Sequence, residues 1–276
     1  MELHVSLHRG LEHPTRLRLF SGVKWTSPEQ SLLRAGLTSG MKCLDVRCGT
    51  GQATLPMARL TGAGGAVLGI DPEERLLSQA REEAEKQGLR AEFHTGDIAD
   101  LDAPGAFDLV YSRFLLSQRP REQAEKALRQ MVRAVQPGGI IVLEDLECPG
   151  KVDAAGVDNP VYTRFLELYA ALLRDDEGEP SPGLQLHQLL EQVGIAGVQC
   201  SNSPTPVESG EHARNPAAQF LDSIHHAIVA AHLATRTEVK RLTSELDKFR
   251  MAPQSLFWMP RIVQVWGSVP SLGSGL

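Results

Sequence analysis

The sequence predicts a doubly wound α/β fold on a mostly parallel sheet. Three observations carry that expectation. Strand-like and helix-like stretches alternate regularly from Met41 to Glu147, a glycine-rich turn follows the first strand directly, and acidic residues stand at the ends of the next two. Strands separated by helices imply crossover connections, hence a parallel sheet, with the crossovers right-handed.

Taken in order, MKCLDV (Met41–Val46) reads as a short buried strand, and TLPMARLTG as a helix ending near Gly62. AVLGID is an apolar strand ending at Asp71, and PEERLLSQAREEAEKQ an amphipathic helix with Pro72 in its first turn. AEFHTGD and FDLVYSR supply two further short strands. PREQAEKALRQMVRAV is a helix that begins near Pro120 and stops at a turn, Gln136–Gly139, before the branched run IIVLEDLE. Beyond this alternation lie a helix, VYTRFLELYAALLRDD, closed by the polar turn DDEGEPSPG, and two more helices, PAAQFLDSIHHAIVAAHLA and TEVKRLTSELDKFR. The last begins at Thr235 or Thr237 with Glu238 following, an N-terminal capping pattern. AGVQCSNS and IVQVWGSV are strand-like, and their separation by an insertion predicts an antiparallel finish to the sheet, with helices covering the ligand edge. The expected organisation is one domain overall: an N-terminal helical cap over residues 1–40, an α/β core over 41–150, and completion of the sheet with helical lid segments over 151–276.

Composition sets the frame for function. The 276 residues are 42% hydrophobic and 22% charged, with a net charge of −6, an ordinary globular balance. A mild negative charge with no clustered cationic face argues against nucleic acid as partner. No apolar run reaches membrane-span length and the first residues lack the apolar stretch of a secretion signal, so a cytoplasmic protein without membrane association is expected. Cys43, Cys48, Cys148 and Cys200 form no CxxC pair, which predicts reduced thiols and no metal site. A homodimer is a further expectation, carried by no motif.

The chemistry concentrates in Leu44–Asp45–Val46–Arg47–Cys48–Gly49–Thr50–Gly51. Glycines here let the backbone turn tightly and approach a ligand at a helix N-terminus. Asp71, twenty residues past Gly51, stands where a carboxylate accepts hydrogen bonds from ribose hydroxyls. Gly96–Asp97–Ile98 follows the third strand, where an acid can meet an adenine amino group and an apolar neighbour its ring. Each feature alone has an ordinary role: a helix-entry turn at Gly49 and Gly51, a helix cap at Asp71, a loop cap at Asp97. Together they describe an adenosine site on the carboxyl edge of a parallel sheet.

With these residues in view, the chain resembles the class I S-adenosylmethionine (SAM)-dependent methyltransferases. The resemblance rests on LDVRCGTG, GID at Asp71, HTGDI at Asp97, FDLVYSRFLL and QPGGIIVLED, and is strong over Ser31–Glu147. The final PRIVQVWG is similar to the last strand of a bacterial small-molecule subgroup whose acceptors are uncharacterised or belong to secondary metabolism. The resemblance implies a seven-stranded Rossmann-like methyltransferase fold and SAM as cofactor. It also implies Asp45, Arg47, Gly49 and Gly51 on the methionine side, Asp71 and Pro72 at the ribose, Asp97 and Ile98 at the adenine, and Ser112–Arg113 beneath the cofactor. One position departs from the pattern: Arg47 stands where the family carries glycine, so DxGxGxG becomes DxRxGxG. A guanidinium there can pair with the cofactor's carboxylate or obstruct the site.

Methyl transfer from a sulfonium needs mainly positioning and exclusion of water, with a base only for a weakly acidic acceptor. Candidate acceptor-side groups are Glu144, beside Asp145 at the end of the fifth strand, and His225 and His226 on the lid helix, one of which should face inward. His187 is a weaker candidate. FLELYAALL and IHHAIVAAHLA offer apolar walls for a small, partly apolar acceptor, although helix packing alone would also account for them. Two other functions stay open. One is a SAM-binding protein that transfers no methyl, a cyclase or pseudoenzyme, which Arg47 would favour. The other is a nicotinamide-dependent oxidoreductase, although the third glycine of GxGxxG, counted from Gly49, falls on Thr54.

Overall fold

The computed structural model describes residues 27–115, 120–147, 160–175, 182–203, 215–249 and 261–271. Helix α1 (Glu29–Ala35) precedes β1 (Lys42–Val46), α2 (Thr54–Thr61), β2 (Ala66–Asp71), α3 (Glu74–Lys86), β3 (Glu92–Thr95) and β4 (Phe107–Arg113). Then follow α4 (Arg121–Ala134), β5 (Val135–Glu147), α5 (Pro160–Asp175), α6 (Leu186–Gln192), β6 (Ala196–Ser203), α7 (Pro216–Ala230), α8 (Arg236–Phe249) and β7 (Arg261–Ser268). The seven strands form one sheet in the order β3-β2-β1-β4-β5-β7-β6. The first five are parallel, and β7 runs antiparallel to both β5 and β6.

This order follows from the alternation of buried residues in each strand. Cys43 of β1, Leu109 and Tyr111 of β4 and Val142 of β5 pack with α1 and α2 on one face, joined there by Trp266 of β7. Leu44, Val46, Val110, Ile141 and Leu143 point the other way, against Ala124, Ala127, Leu128 and Met131 of α4. Spacings of three and four put those α4 residues on one stripe. Helices therefore cover both faces, and the strand order reverses at β1 and β4. In such sheets the reversal opens a crevice at the carboxyl ends of the strands.

Gly69 of β2 shows how tightly the first face is packed. A Cβ there would lie 2.8 Å from Cys48 Sγ and 3.0 Å from Phe93 Cδ1. Burial pushes the Cys43 thiol up to about 12 and the Cys48 thiol up as well, so both behave as small apolar side chains. Among the described residues no thiol is in a disulfide; Cys148 lies outside them.

Helices α5, α7 and α8 build a separate apolar cluster with Phe114 and Ile262. Its aromatic centre is Phe220, edge-on to Tyr169 (5.1 Å, 81°) and Phe165 (6.0 Å, 88°), contacts worth about 0.5–1.5 kcal/mol each beyond area burial. Asn215 caps α7 by accepting from Ala217 N–H (2.9 Å) while its amide donates to Leu246 O of α8 (2.8 Å). Thr235 accepts from Glu238 N–H (3.1 Å), as the capping pattern predicts. The Glu238 carboxylate reaches Arg164 of α5 (2.9 Å) instead of turning back to complete a capping box. Because Ile262 pairs with Leu146 near the end of β5, the cluster stands at the carboxyl edge.

Two expectations about boundaries are corrected. The helix expected from Pro72 starts at Glu74, because Asp71 accepts Glu73 N–H and holds the chain extended at Glu73. The stretch read as a turn, Gln136–Gly139, lies within β5: Val135 pairs with Phe107, and the register shifts before Leu109 pairs with Ile140. Gly138 at φ +80° accommodates that irregularity. Residues 1–26 of the expected helical cap, and 176–181 of the polar turn, lie outside the described residues.

Candidate active site

The turn after β1 is built from left-handed residues. Arg47, Gly49 and Gly51 have φ of 63°, 54° and 81°. For the glycines this costs little; for Arg47 it costs roughly 1–2 kcal/mol. The turn is tied to β2, since Arg47 and Cys48 N–H both donate to Ile70 O, at 2.8 and 3.0 Å. Gly49 N–H donates to Asp71 Oδ2 at 3.1 Å. A Cβ on Gly51 would meet Leu55 Cγ at 3.3 Å and Ala80 Cβ at 3.4 Å, so helix packing as well as φ favours glycine there.

The predicted acids converge on the same edge. Asp45, 2% exposed, accepts from Thr54 Oγ1 at 2.6 Å. Burial pushes its carboxyl up to about 7; the Thr54 hydroxyl opposes the rise and the nearby Asp71 adds to it. Asp71 is fully buried, with Oδ1 accepting from Glu73 N–H at 2.9 Å. Asp71 does not cap the helix, whose N-cap is Glu73 without a side-chain bond; it closes a turn before it, and each carboxylate oxygen has a second lone pair for a ligand hydroxyl. Gly96 N–H donates to Asp71 O (3.1 Å), which sets the Gly96–Asp97 turn beside it. Asp97 is half-buried and accepts from Ala99 N–H at 3.2 Å. Ile98 is 1% exposed, with its side chain in the core cluster of Leu44 and Val110. Pro72 is exposed beyond β2. Ser112 is buried and donates to Val46 O at 3.0 Å, locking β4 to β1 beneath the turn.

Glu144 occupies a place the sequence does not reveal. It is 1% exposed, and its two oxygens accept from Ser31 Oγ, Tyr111 Oη (2.8 Å), Arg113 Nε (2.7 Å) and Gln264 Nε2 (3.0 Å). The carboxylate thus joins α1, β4, β5 and β7 at the end of the sheet. Arg113 also lies over the Phe114 ring, 5.6 Å from guanidinium carbon to centroid. Phe114 itself sits at φ +62°, an uncommon conformation for an aromatic residue. Sequence reasoning missed Ser31, Tyr111, Gln264 and Thr54. Polar side chains inside otherwise apolar strand runs, YS in FDLVYSR and Q in IVQVW, were the available sign.

Asp145 is buried. On α7, His225 is half-buried and His226 exposed, with ring centroids 3.8 Å apart and His225 Nδ1 2.6 Å from Asp222 O. His187 pairs with Glu191 on α6 at 3.4 Å, away from this group in the chain order. Among the described residues no cluster of histidine, cysteine and acids could hold a metal ion, and no helix is long and apolar enough to cross a membrane.

This arrangement suits a nucleoside carrying an aminoacyl tail. Carboxylates at the tips of β1 and β2 can serve an ammonium and ribose hydroxyls, and a left-handed turn lets the backbone come close. Comparison with known proteins speaks to the family. Residues 43–139 match the family model described as "Methyltransferase domain". A demethylmenaquinone methyltransferase of Listeria monocytogenes is 33% identical over 188 residues, 64% of this chain and 78% of the relative. One from Staphylococcus aureus is 35% identical over 135 residues, covering 49% and 52%. For several curated relatives the match thus spans only about half of their length. Among solved structures, the YcgJ protein of Bacillus subtilis overlays with a TM-score of 0.57 at 15% identity, covering 89% of this chain and 98% of that one. The [4+2]-cyclase SpnF overlays with a TM-score of 0.52 at 19% identity, covering 93% and 82%. At those identities the overlays speak for the fold.

Proposed function

Since the chain belongs to the class I SAM-dependent methyltransferases, we propose that it methylates a small, partly apolar acceptor of the quinol type. The observation that carries the acceptor class is the apolar cluster of α5, α7 and α8, with Phe114 among its buried members, near the carboxyl edge. The names of its relatives, which refer to demethylmenaquinone, support the same class. They point to quinone chemistry in place of the secondary metabolism expected from the terminal strand.

When bound, SAM supplies a methyl group on a sulfonium centre, with a good leaving group already in place. On this reading Asp45, Arg47, Gly49 and Gly51 hold its methionyl part, Asp71 and Pro72 its ribose, and the Asp97–Ile98 turn its adenine. Ser112 braces the floor by joining β4 to β1. Arg113 keeps its guanidinium under the site through Glu144. Glu144 therefore serves as a positioning residue for Arg113; its oxygens already accept from four donors, which disfavours it as a base. His225 and His226, on the lid helix, are the candidates for taking a proton from an acceptor hydroxyl or carbon acid. The helices exclude water around the transfer.

The test is incubation with SAM and reduced demethylmenaquinone, following S-adenosylhomocysteine release. Turnover with this acceptor, reduced in a His225→Ala/His226→Ala variant, supports the reading. Binding of SAM with no product from this or other apolar phenols would favour the non-transferring alternative. As a check on the cofactor assignment, Asp71→Ala should weaken SAM binding by about 1–3 kcal/mol.

A further inference from the structure

We propose that Arg47 reads the carboxylate of the bound cofactor's aminoacyl tail, so that this chain recognises the zwitterionic end of its ligand through a side chain placed on the turn itself. The inference rests on the cofactor site proposed above and assigns a role to the position where the chain departs from its family's glycine.

Four observations lead to it. Arg47 is held in a left-handed conformation, φ 63°, that glycine would adopt without strain. A side chain kept against the preference of its backbone is a mark of functional sites. Its amide is fixed by Ile70 O at 2.8 Å, so the residue cannot relax without loosening the link between β1 and β2. Its side chain is half-buried at the carboxyl end of β1, the point where the strand order reverses. The charges around it are arranged for a ligand of both signs. Asp45 and Asp71, both buried on this edge, would repel a ligand carboxylate. Arg47 is the cation that the turn itself carries, one residue beyond Val46 and two before Gly49. A guanidinium matches a carboxylate in a two-pronged geometry that a backbone amide cannot reproduce.

The experiment compares two ligands that differ in the tail alone. Calorimetric titration of S-adenosylhomocysteine and of 5′-methylthioadenosine, which lacks the carboxylate and ammonium, is made on the wild type, Arg47→Gly and Arg47→Lys. Thermal melts accompany each titration. In Arg47→Gly the homocysteine ligand should bind roughly ten- to a hundredfold more weakly, methylthioadenosine should be unchanged, and Arg47→Lys should fall between. The glycine variant should melt no lower than the wild type. A homocysteine affinity unchanged in Arg47→Gly overturns the inference alone. Equal losses for both ligands do the same, since they would mean that the turn as a whole has been disturbed. Absence of heat with either ligand on the wild type overturns the cofactor site and this inference with it.

Discussion

Asp45→Asn should change the pH dependence of folding in a defined direction. Asp45 is almost completely buried, and its carboxyl titrates near 7 where an unfolded chain would titrate near 3.8. The sign follows from which state holds the proton. Below about pH 4 both states are protonated, and the group contributes fully to stability. As pH rises from about 4 to about 7 the unfolded chain has lost its proton and the folded protein keeps it, so stability falls; above about 7 the loss is complete. The two values are about three pH units apart, which at 1.36 kcal/mol per unit sets a ceiling of about 4 kcal/mol. Asparagine keeps the shape and an acceptor for Thr54 Oγ1 and has no charge to bury. Of that ceiling only the part between pH 5 and about 7 falls inside the assay, so urea unfolding at pH 5 and pH 8 should show the wild type losing up to about 2.7 kcal/mol more than Asp45→Asn. Parallel behaviour of the two proteins would refute the reasoning. A bound ammonium would hold Asp45 ionised, so SAM binding to the wild type near pH 7 should release a proton, read as a buffer-dependent heat, and binding to Asp45→Asn should not.

Three further outcomes follow from packing and pairing. Gly69→Ala places a methyl 2.8 Å from Cys48 Sγ and 3.0 Å from Phe93 Cδ1 and should cost about 1–3 kcal/mol in chemical denaturation. Glu144→Ala leaves Arg113, whose side chain is 9% exposed, without its carboxylate and should destabilise by about 3–5 kcal/mol. Ser31→Ala, which removes one of the four donors, should cost about 1 kcal/mol. Equal losses in these last two variants would show that the carboxylate matters no more than one of its hydroxyl donors.

The sheet was legible because its strands are apolar runs set off by glycine turns and acidic ends, a pattern that survives in one dimension. The antiparallel finish was legible from the insertion between the last two strand-like stretches. Boundaries failed where a single side chain decides them: Asp71 delays α3 to Glu74, and Gln136–Gly139 looks like a turn because two glycines and a proline say nothing of the Phe107 pairing. That Asp45, Asp71 and Asp97 gather at one edge could be read in advance, since each sits at or just beyond a strand tip. The surroundings of Glu144 could not, because its partners come from 113 positions before and 120 positions after it. A glutamate at a strand end looks reactive in the sequence; only the fold supplies the donors that occupy it. Arg47 was visible as a departure from pattern, but its left-handed backbone was not.

The sheet order also bears on how the protein is made. β7 lies between β5 and β6, although it is the last of the three to leave the ribosome. Until Arg261–Ser268 has emerged, β5 presents bare amides and carbonyls along one side, and β6 has no neighbour on which to lie. A nascent chain at that stage carries an open hydrogen-bonding margin next to apolar residues such as Val142 and Leu143, the kind of surface that invites unwanted pairing between chains. Chaperone cover until β7 has emerged would thus matter more for this molecule than for one whose sheet is finished in chain order.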